Sequence, residues 1–323
     1  MSNPRHAFED DHGRYYNIPG IDKPLVSVTN AIGTGLAKHG LPRWYANSAA
    51  EVAWELLPMM LNSLRKPLCG IARWTDEERP CGECQPCVDR RIKQAAEEKR
   101  DSAAFLGTRV HELAEAHVLG KRLATLEGDD EAGLYVVQYL KFLKDFGIDL
   151  DRDIVAAEST VVHESAGYAG TGDLWVRLPF DGFLFETDRA TGHKRVKVKK
   201  VDDPAQWGTF LIDLKTSRKR SSTQSYPDNA MQLAALRHAP KMLLPDDTLT
   251  PNIPVRGCAT LQLRPKTYRL IPLPADTREY GLFTNTLNLA SFVHHEWPGD
   301  FGHRPITPAG RIVPKRGQKE EDA

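Results

Sequence analysis

The chain has 323 residues, 41% hydrophobic and 27% charged, with 43 Lys and Arg balanced by 43 Asp and Glu. This composition suits one large globular domain or two ordinary ones and excludes collagen-like, disordered and disulfide-dense classes. No stretch approaches the roughly 20 apolar residues of a spanning helix, and Met1 to Asp11 is polar and acidic, so a cytoplasmic protein without a membrane partner is expected.

In chain order, residues 1–24 read as a polar, turn-rich segment, and Leu25 to Thr29 as a short β run or a helix entry with a Ser/Thr cap. From Pro42 to Leu64, the apolar Trp54, Leu57, Leu61 and Leu64 fall at helical spacing, and Pro58 should kink or split that helix. A cysteine-bearing loop follows. Val88 to about Leu119 suggests one long helix or two abutting ones, the second being Ala103 to Leu119. A further helix is expected from Asp129 to Phe146, capped by Asp129 or Asp130 and stopped by Gly147.

Beyond Gly147 the character turns β-rich. Ile154–His163, Gly172–Leu178, Phe183–Thr187, Arg195–Val201 and Thr209–Leu214 have strand composition with turn signals between them, which reads as a meander. Pro227 to His238 then reads as a helix, Arg256–Leu263 with Tyr268–Pro272 as a hairpin, and Thr277 to Trp297 as a closing helix. The tail from Arg311 is expected to be disordered. The order is a helical front, a twisted β centre and helices after it, an α+β or mixed α/β fold with an inserted cysteine module. The expected divisions are a polar segment 1–24, a helical region 25–106 with a metal module at 69–87, a core 107–300 and a flexible tail 301–323.

The sharpest chemical signal is Phe210-Leu211-Ile212-Asp213-Leu214-Lys215-Thr216. Strand alternation places Asp213 and Lys215 on one face and Ile212 and Leu214 on the other, into a core. A carboxylate that holds a divalent cation and an ammonium that stabilises a nucleophilic water must sit side by side in this way. Upstream, the glycine-rich Tyr168-Ala169-Gly170-Thr171-Gly172-Asp173 reads as a turn with Asp173 at the start of a strand. Glu158 stands inside Val155 to Val162, where an acid is costly unless paired or on metal. On a predicted helix, Gly107-Thr108-Arg109-Val110-His111 places His111 and Glu115 on one face, and His111 is either a ligand or the partner of its own Glu115.

A helical Gly-x-x-x-His, a strand Glu, Gly-x-x-Asp, Asp-x-Lys and then a Gln-bearing helix, in that order, resembles the PD-(D/E)xK nuclease superfamily. More narrowly it is similar to the RecB-like branch of CRISPR-associated and phage exonucleases. The resemblance covers roughly Gly107 to His238 and implies an α/β (α+β) fold with a restriction-endonuclease-like core, a mixed central β-sheet flanked by helices. It also implies that His111, Asp173, Asp213 and the Leu214 carbonyl hold Mg²⁺ or Mn²⁺, with Lys215 positioning the attacking water and Glu158 supporting the site. Gln232 matches a glutamine that touches DNA in that branch, although Leu236 stands where a tyrosine usually follows.

Cys69, Cys81, Cys84 and Cys87 crowd into nineteen residues, a spacing that reads as a structural metal site, either tetrahedral zinc or a [4Fe-4S] cluster. All four precede His111, unlike the usual iron–sulfur arrangement of the branch, which favours zinc. Cys258 reads as a small buried hydrophobe. Between Arg189 and Arg220, ten Lys or Arg face three Asp; this excess either draws a phosphate backbone or guards a solvated hairpin edge. Within it, Arg218, Lys219 and Arg220 follow the lysine motif where a backbone phosphate should lie. Trp44, Tyr45, Trp54, Trp74 and Trp207 are open to base stacking or to core packing.

The resulting expectation is a metal-dependent DNA exonuclease of replication, recombination or repair, acting on single-stranded or end-containing duplex DNA. A structure-selective or restriction-type endonuclease on the same core comes next, then a non-catalytic DNA-binding scaffold. The chain lacks a Gly-x-x-x-x-Gly-Lys-Ser/Thr loop, so any ATP-driven unwinding would come from a partner helicase or recombination protein.

Overall fold

The computed structural model describes residues 4–37, 40–68, 82–120, 130–187, 194–218, 221, 223, 225–296 and 308. It is a mixed α/β fold: a ten-stranded mixed sheet with helices on both faces, and a separate two-stranded sheet. Cys69, Cys81, Trp74, Lys219, Arg220 and, save Pro308, the expected tail lie outside the described residues. Among the described residues, no helix is long and apolar enough to cross a membrane.

The expected polar extension is partly ordered as a hairpin, β1 (Ala7–Asp10) with β2 (Gly13–Tyr16), because Tyr15, Tyr16 and Ile18 supply apolar surface that the core covers. Strand β3 (Leu25–Ser27) joins it to the main sheet. Helix α1 (Val28–Gly35) begins at once, with the Ser27 hydroxyl accepting the Asn30 N–H at 3.0 Å. Helices α2 (Gly40–Glu55) and α3 (Leu57–Ser63) are split where Pro58 occupies the first turn of the second. The apolar series on them stays in the open, Trp54 being 76% exposed. Helical spacing decides which residues share a face and leaves open what covers it.

Helix α4 (Gln85–Val118) is continuous over 34 residues, so the boundary expected at residue 107 falls inside it. It packs with α5 (Asp130–Asp145) on one face of the sheet; Gly147, at φ +65°, ends the second helix. A one-turn α6 (Leu150–Asp153) leads into β4 (Ile154–His163) and β5 (Tyr168–Leu178). Next come β6 (Phe180–Thr187), β7 (Lys194–Lys200) and β8 (Gly208–Thr216). These five strands do not form one meander. Leu178 pairs directly with Gly208 across β5 and β8, which leaves β6 and β7 to pair with each other as a projecting hairpin.

Helix α7 (Pro227–His238) crosses to β11 (Gly257–Arg264), which runs parallel to β8. Between them lies a small hairpin absent from the sequence expectation, β9 (Lys241–Leu243) with β10 (Leu249–Pro251). Strand β12 (Thr267–Leu273) and helix α8 (Thr277–Ser291) follow, the helix started by an Asp276/Glu279 capping box and continued by a π-helical turn over Phe292–Glu296.

The core divides by strand alternation. Phe210, Ile212 and Leu214 face α4 and α5, among Val110, Leu113, Tyr135 and Phe142. Leu211 and Trp175 face α1, α7 and α8, among Val28, Leu233, Leu236 and Phe283.

The glycines before Asp173 do not make a turn, as expected from sequence; they lie inside β5. Their role is close approach. A Cβ at Gly170 would stand 2.8 Å from Val28 Cγ2 and 2.9 Å from Leu236 Cδ2. Gly170→Ala should therefore destabilise the fold by about 1–3 kcal/mol through overpacking, read as a lower urea midpoint with an unchanged slope; an unchanged midpoint would show that α1 and α7 yield freely.

Candidate active site

The site forms where the sheet forks. Strand β8 pairs with β5 over Gly208–Ile212 and Leu174–Leu178, and β3 pairs with β5 at Tyr168 and Ala169. Between these partners, residues 170–173 of β5 and 213–216 of β8 face a gap, while β8 keeps its parallel ladder with β11 on the other side. Backbone groups at such a gap need other partners. The Leu214 N–H donates to Asp173 Oδ2 at 2.6 Å. The Leu214 carbonyl lies 3.1 Å from His111 Nε2; a carbonyl can only accept, so Nε2 carries a hydrogen there.

Helix α4 delivers His111 to this gap. A Cβ at Gly107, one turn earlier, would lie 3.3 Å from Thr216 Oγ1, so the helix comes close to the strand there. His111 Nδ1 is buried with no hydrogen-bond partner and stands 3.5 Å from both Glu158 Oε1 and Asp173 Oδ1. Its near neighbours are therefore these carboxylates and Leu214, not Glu115. Glu158 has φ +43°, a conformation rare for a residue with a side chain and found preferentially at functional sites. In the β4–β5 register, Ala157 meets Leu174 and Ser159 meets Gly172, which sets Glu158 opposite Asp173.

On the other side of the gap, Lys215 Nζ stands 2.8 Å from Asp213 Oδ2 and 3.0 Å from Oδ1. Gln232, from α7, donates to Asp213 Oδ1 at 3.1 Å and accepts from Lys215 at 3.4 Å. Thus His111, Glu158 and Asp173 form one cluster and Asp213, Lys215 and Gln232 an adjoining one. Asp213 turns to the lysine rather than to the histidine cluster, and the Leu214 carbonyl is taken by His111.

The electrostatics follow from burial and neighbours. Burial alone would lower the His111 imidazole, but Asp173 and Glu158 outweigh it and hold its pKa up to about 10. Burial would raise Asp173, yet His111, Lys215 and the Leu214 N–H bring it below the usual carboxylate range. Burial pushes Asp213 up to about 6 against the pull of Lys215, and it also raises Glu158, helped by Asp173.

His111 and Asp173 of the first cluster and all three members of the second open on a cleft of about 300 Å³ whose far wall is the N-terminal hairpin and α1, through Arg14, Tyr16, Val28 and Thr29, while Glu158 lines a smaller pocket beside Asp173 and Glu115. The sequence reading missed this wall, as strands of three or four residues carry no signal of where they dock. It also missed Arg264, a buried arginine on β11 that donates to the carbonyls of Lys215 and Ser221, each at 3.1 Å, and to Gln262 Oε1 at 2.8 Å. A signal existed, since Thr260, Gln262 and Arg264 recur at period two in an apolar run.

Other expected contacts are engaged within the protein. Arg218 is held by Glu131, with Nη2 2.7 Å from Oε2, and by Ser102 at 3.2 Å. Trp207 lies under Arg152 at 5.2 Å and donates to the Val201 carbonyl, and Trp44 packs edge-on against Tyr45. Cys84 and Cys87 are buried at the start of α4 with their sulfurs 3.4 Å apart. Cys258 is buried in β11.

No protein-family model matches the chain, and no curated protein matches its sequence.

The donor set of the first cluster suits a divalent cation. One imidazole nitrogen and two carboxylate oxygens lie within 4.8 Å of one another, nitrogen and oxygen donors of the kinds that ligate divalent metal ions. In metal-free protein, the raised His111 pKa makes a signed prediction. A histidine whose folded pKa lies above its unfolded value stabilises the fold fully below about pH 6.5 and loses that contribution as pH rises through about 10. In EDTA, the melting-temperature advantage of wild type over His111→Gln should be larger near pH 6.5 than at higher pH and shrink toward about pH 10; a constant difference would show that His111 is not charged in the folded state.

Proposed function

We propose that this chain is a metal-dependent deoxyribonuclease of the PD-(D/E)xK type, built on a restriction-endonuclease-like core and acting as an exonuclease on DNA. The observation that carries the reading is the joining of Asp213, Lys215 and Gln232 to His111, Glu158 and Asp173 around one fork, five of the six lining one cleft. These residues come from α4, β4, β5, β8 and α7, the order in which the sequence motifs run. Stability alone does not favour such an assembly, because buried ionic groups are often replaced by apolar residues at no cost or with a gain.

His111, Glu158 and Asp173 would hold Mg²⁺ or Mn²⁺, with Asp213 beside them. A bound divalent cation supplies acidification of water and neutralisation of phosphoryl charge. The chain's own groups do the remainder. Lys215, fixed by Asp213 and Gln232, directs its ammonium into the cleft, where it orients the attacking water and offsets charge growing on the phosphate oxygens. Gln232 keeps Lys215 and Asp213 in register, and Arg264 holds the backbone of Lys215 from below. Water attacks phosphorus, one P–O ester bond breaks, and the products are a phosphomonoester and a hydroxyl.

The cysteine module belongs to the same proposal. The adjacent buried sulfurs of Cys84 and Cys87 support a site completed by Cys69 and Cys81, holding zinc or a [4Fe-4S] cluster in a structural role. Cys84→Ser should lower bound zinc or iron, measured by elemental analysis, and lower the melting temperature; unchanged metal content would remove this part of the reading.

The deciding experiment is cleavage of end-labelled linear single- and double-stranded DNA beside a closed circle, with Mg²⁺ or Mn²⁺ and then EDTA. Metal-dependent loss of the linear forms with the circle spared is expected, and cutting of the circle would favour an endonuclease. Lys215→Ala should reduce the cleavage rate by about 10²–10³-fold while DNA affinity changes little; loss of binding instead would recast Lys215 as a phosphate contact.

A further inference from the structure

The two-stranded sheet β6–β7 contributes nothing to the cleft, yet it carries the densest positive charge of the described chain. Directly paired residues share a face. Phe183 with Val198 and Phe185 with Val196 therefore lie on one face, and Leu184 with Lys197 and Glu186 with Arg195 on the other. The first face anchors the hairpin, with the Phe183 ring 4.7 Å from that of Phe210 on β8. Lys199 falls on the second face, so among the described residues Arg195, Lys197 and Lys199 form an exposed row there beside one acid, Glu186. Glu186 and Lys197 are paired at 2.8 Å, and the described part of the face carries three basic residues to that one acid.

Alternate strand residues stand about 7 Å apart, so the three cations extend over roughly 13 Å in a line. Like charges at such spacing repel one another at low salt. A partner with regularly repeated negative charge relieves that repulsion, and a nucleic-acid strand is such a partner, with one phosphate per about 3.4 Å of helix axis.

We propose that this cationic face is a second nucleic-acid contact, which grips the phosphate backbone of the substrate at a distance from the scissile bond. The inference rests on the nuclease reading and extends it. The root of the hairpin, Leu178 and Gly208, lies five residues along β5 from Asp173 and five along β8 from Asp213. That separation is about 17 Å, or about five nucleotide steps. The root is the near end of the hairpin, so a substrate of only a few nucleotides beyond the reacting phosphate cannot occupy both places, and a longer one is held at both.

The test replaces the row by Arg195→Gln, Lys197→Gln and Lys199→Gln together, at exposed positions whose loss spares the core, and sets Glu186→Gln beside it as a change of opposite sign. Binding of a fluorescein-labelled duplex of about 30 base pairs is followed by anisotropy in EDTA over a range of NaCl. KM is then measured with metal for a strand of about 30 nucleotides and for one of about four. The triple variant should lower the log–log salt slope by about two to three units. Its KM for the long strand, relative to the short, should rise tenfold or more, and Glu186→Gln should move both quantities the other way. An unchanged slope and an unchanged KM ratio would overturn the proposal and leave the row to an acidic protein partner or to guarding the hairpin edge. If the wild-type protein cuts nothing with either metal, the nuclease reading falls, and the salt slope still decides whether the hairpin holds DNA.

Discussion

The structure turns on the parting of β5 and β8. Two strands that pair from Leu174 to Leu178 separate at Asp173 and Asp213 because β3, not β8, takes the beginning of β5. A sheet interior that opens leaves backbone groups without a ladder, and each must find another partner or lose the worth of a hydrogen bond. Asp173 and His111 take the two that belong to Leu214. Titratable side chains thus do what a neighbouring strand would have done, which draws charge into a site otherwise walled by core residues.

Once those side chains are inside, each carboxylate needs an opposite charge beside it. The imidazolium of His111 offsets Glu158 and Asp173, and the ammonium of Lys215 offsets Asp213. The arrangement is held by Gln232 from α7, which donates to Asp213 directly, and by Arg264, which donates to the carbonyls of Lys215 and Ser221. Loss of one member would leave a buried charge uncompensated, which costs more than the pair ever contributes. The left-handed backbone at Glu158 is a local expense of the same arrangement.

Most of the secondary structure was legible because its signals are local. Pro227 to His238 is bounded by a proline at its first turn and closes on basic residues, and β4 declares itself by its run of Val, Ile and Ala. Where the reading erred, the deciding contact came from elsewhere. Gly170 and Gly172 look like turn residues until Val28 and Leu236 are brought against the first and the Trp175 ring and Leu211 against the second, after which they are the places where nothing larger fits. The meander expected from strand spacing fails because β5 and β8 are complementary to each other, and a strand of β6 between them would separate Leu178 from Gly208.

The candidate site divides along the same line. Alternation at period two already sets Asp213 with Lys215 and opposes both to Ile212 and Leu214, so the sequence by itself determined which side chains share a face of β8 and that His111 and Glu115 share one of α4. It could not determine which faces meet. That His111 reaches Glu158 and Asp173 while Asp213 turns to Gln232, that a hairpin from the first sixteen residues walls the cleft, and that Arg264 lies beneath the lysine were decided only when the sheet forked and the helices closed over it. The reason is physical: spacing along a chain fixes the direction of a side chain relative to its own element, and what it touches depends on packing between elements distant in sequence.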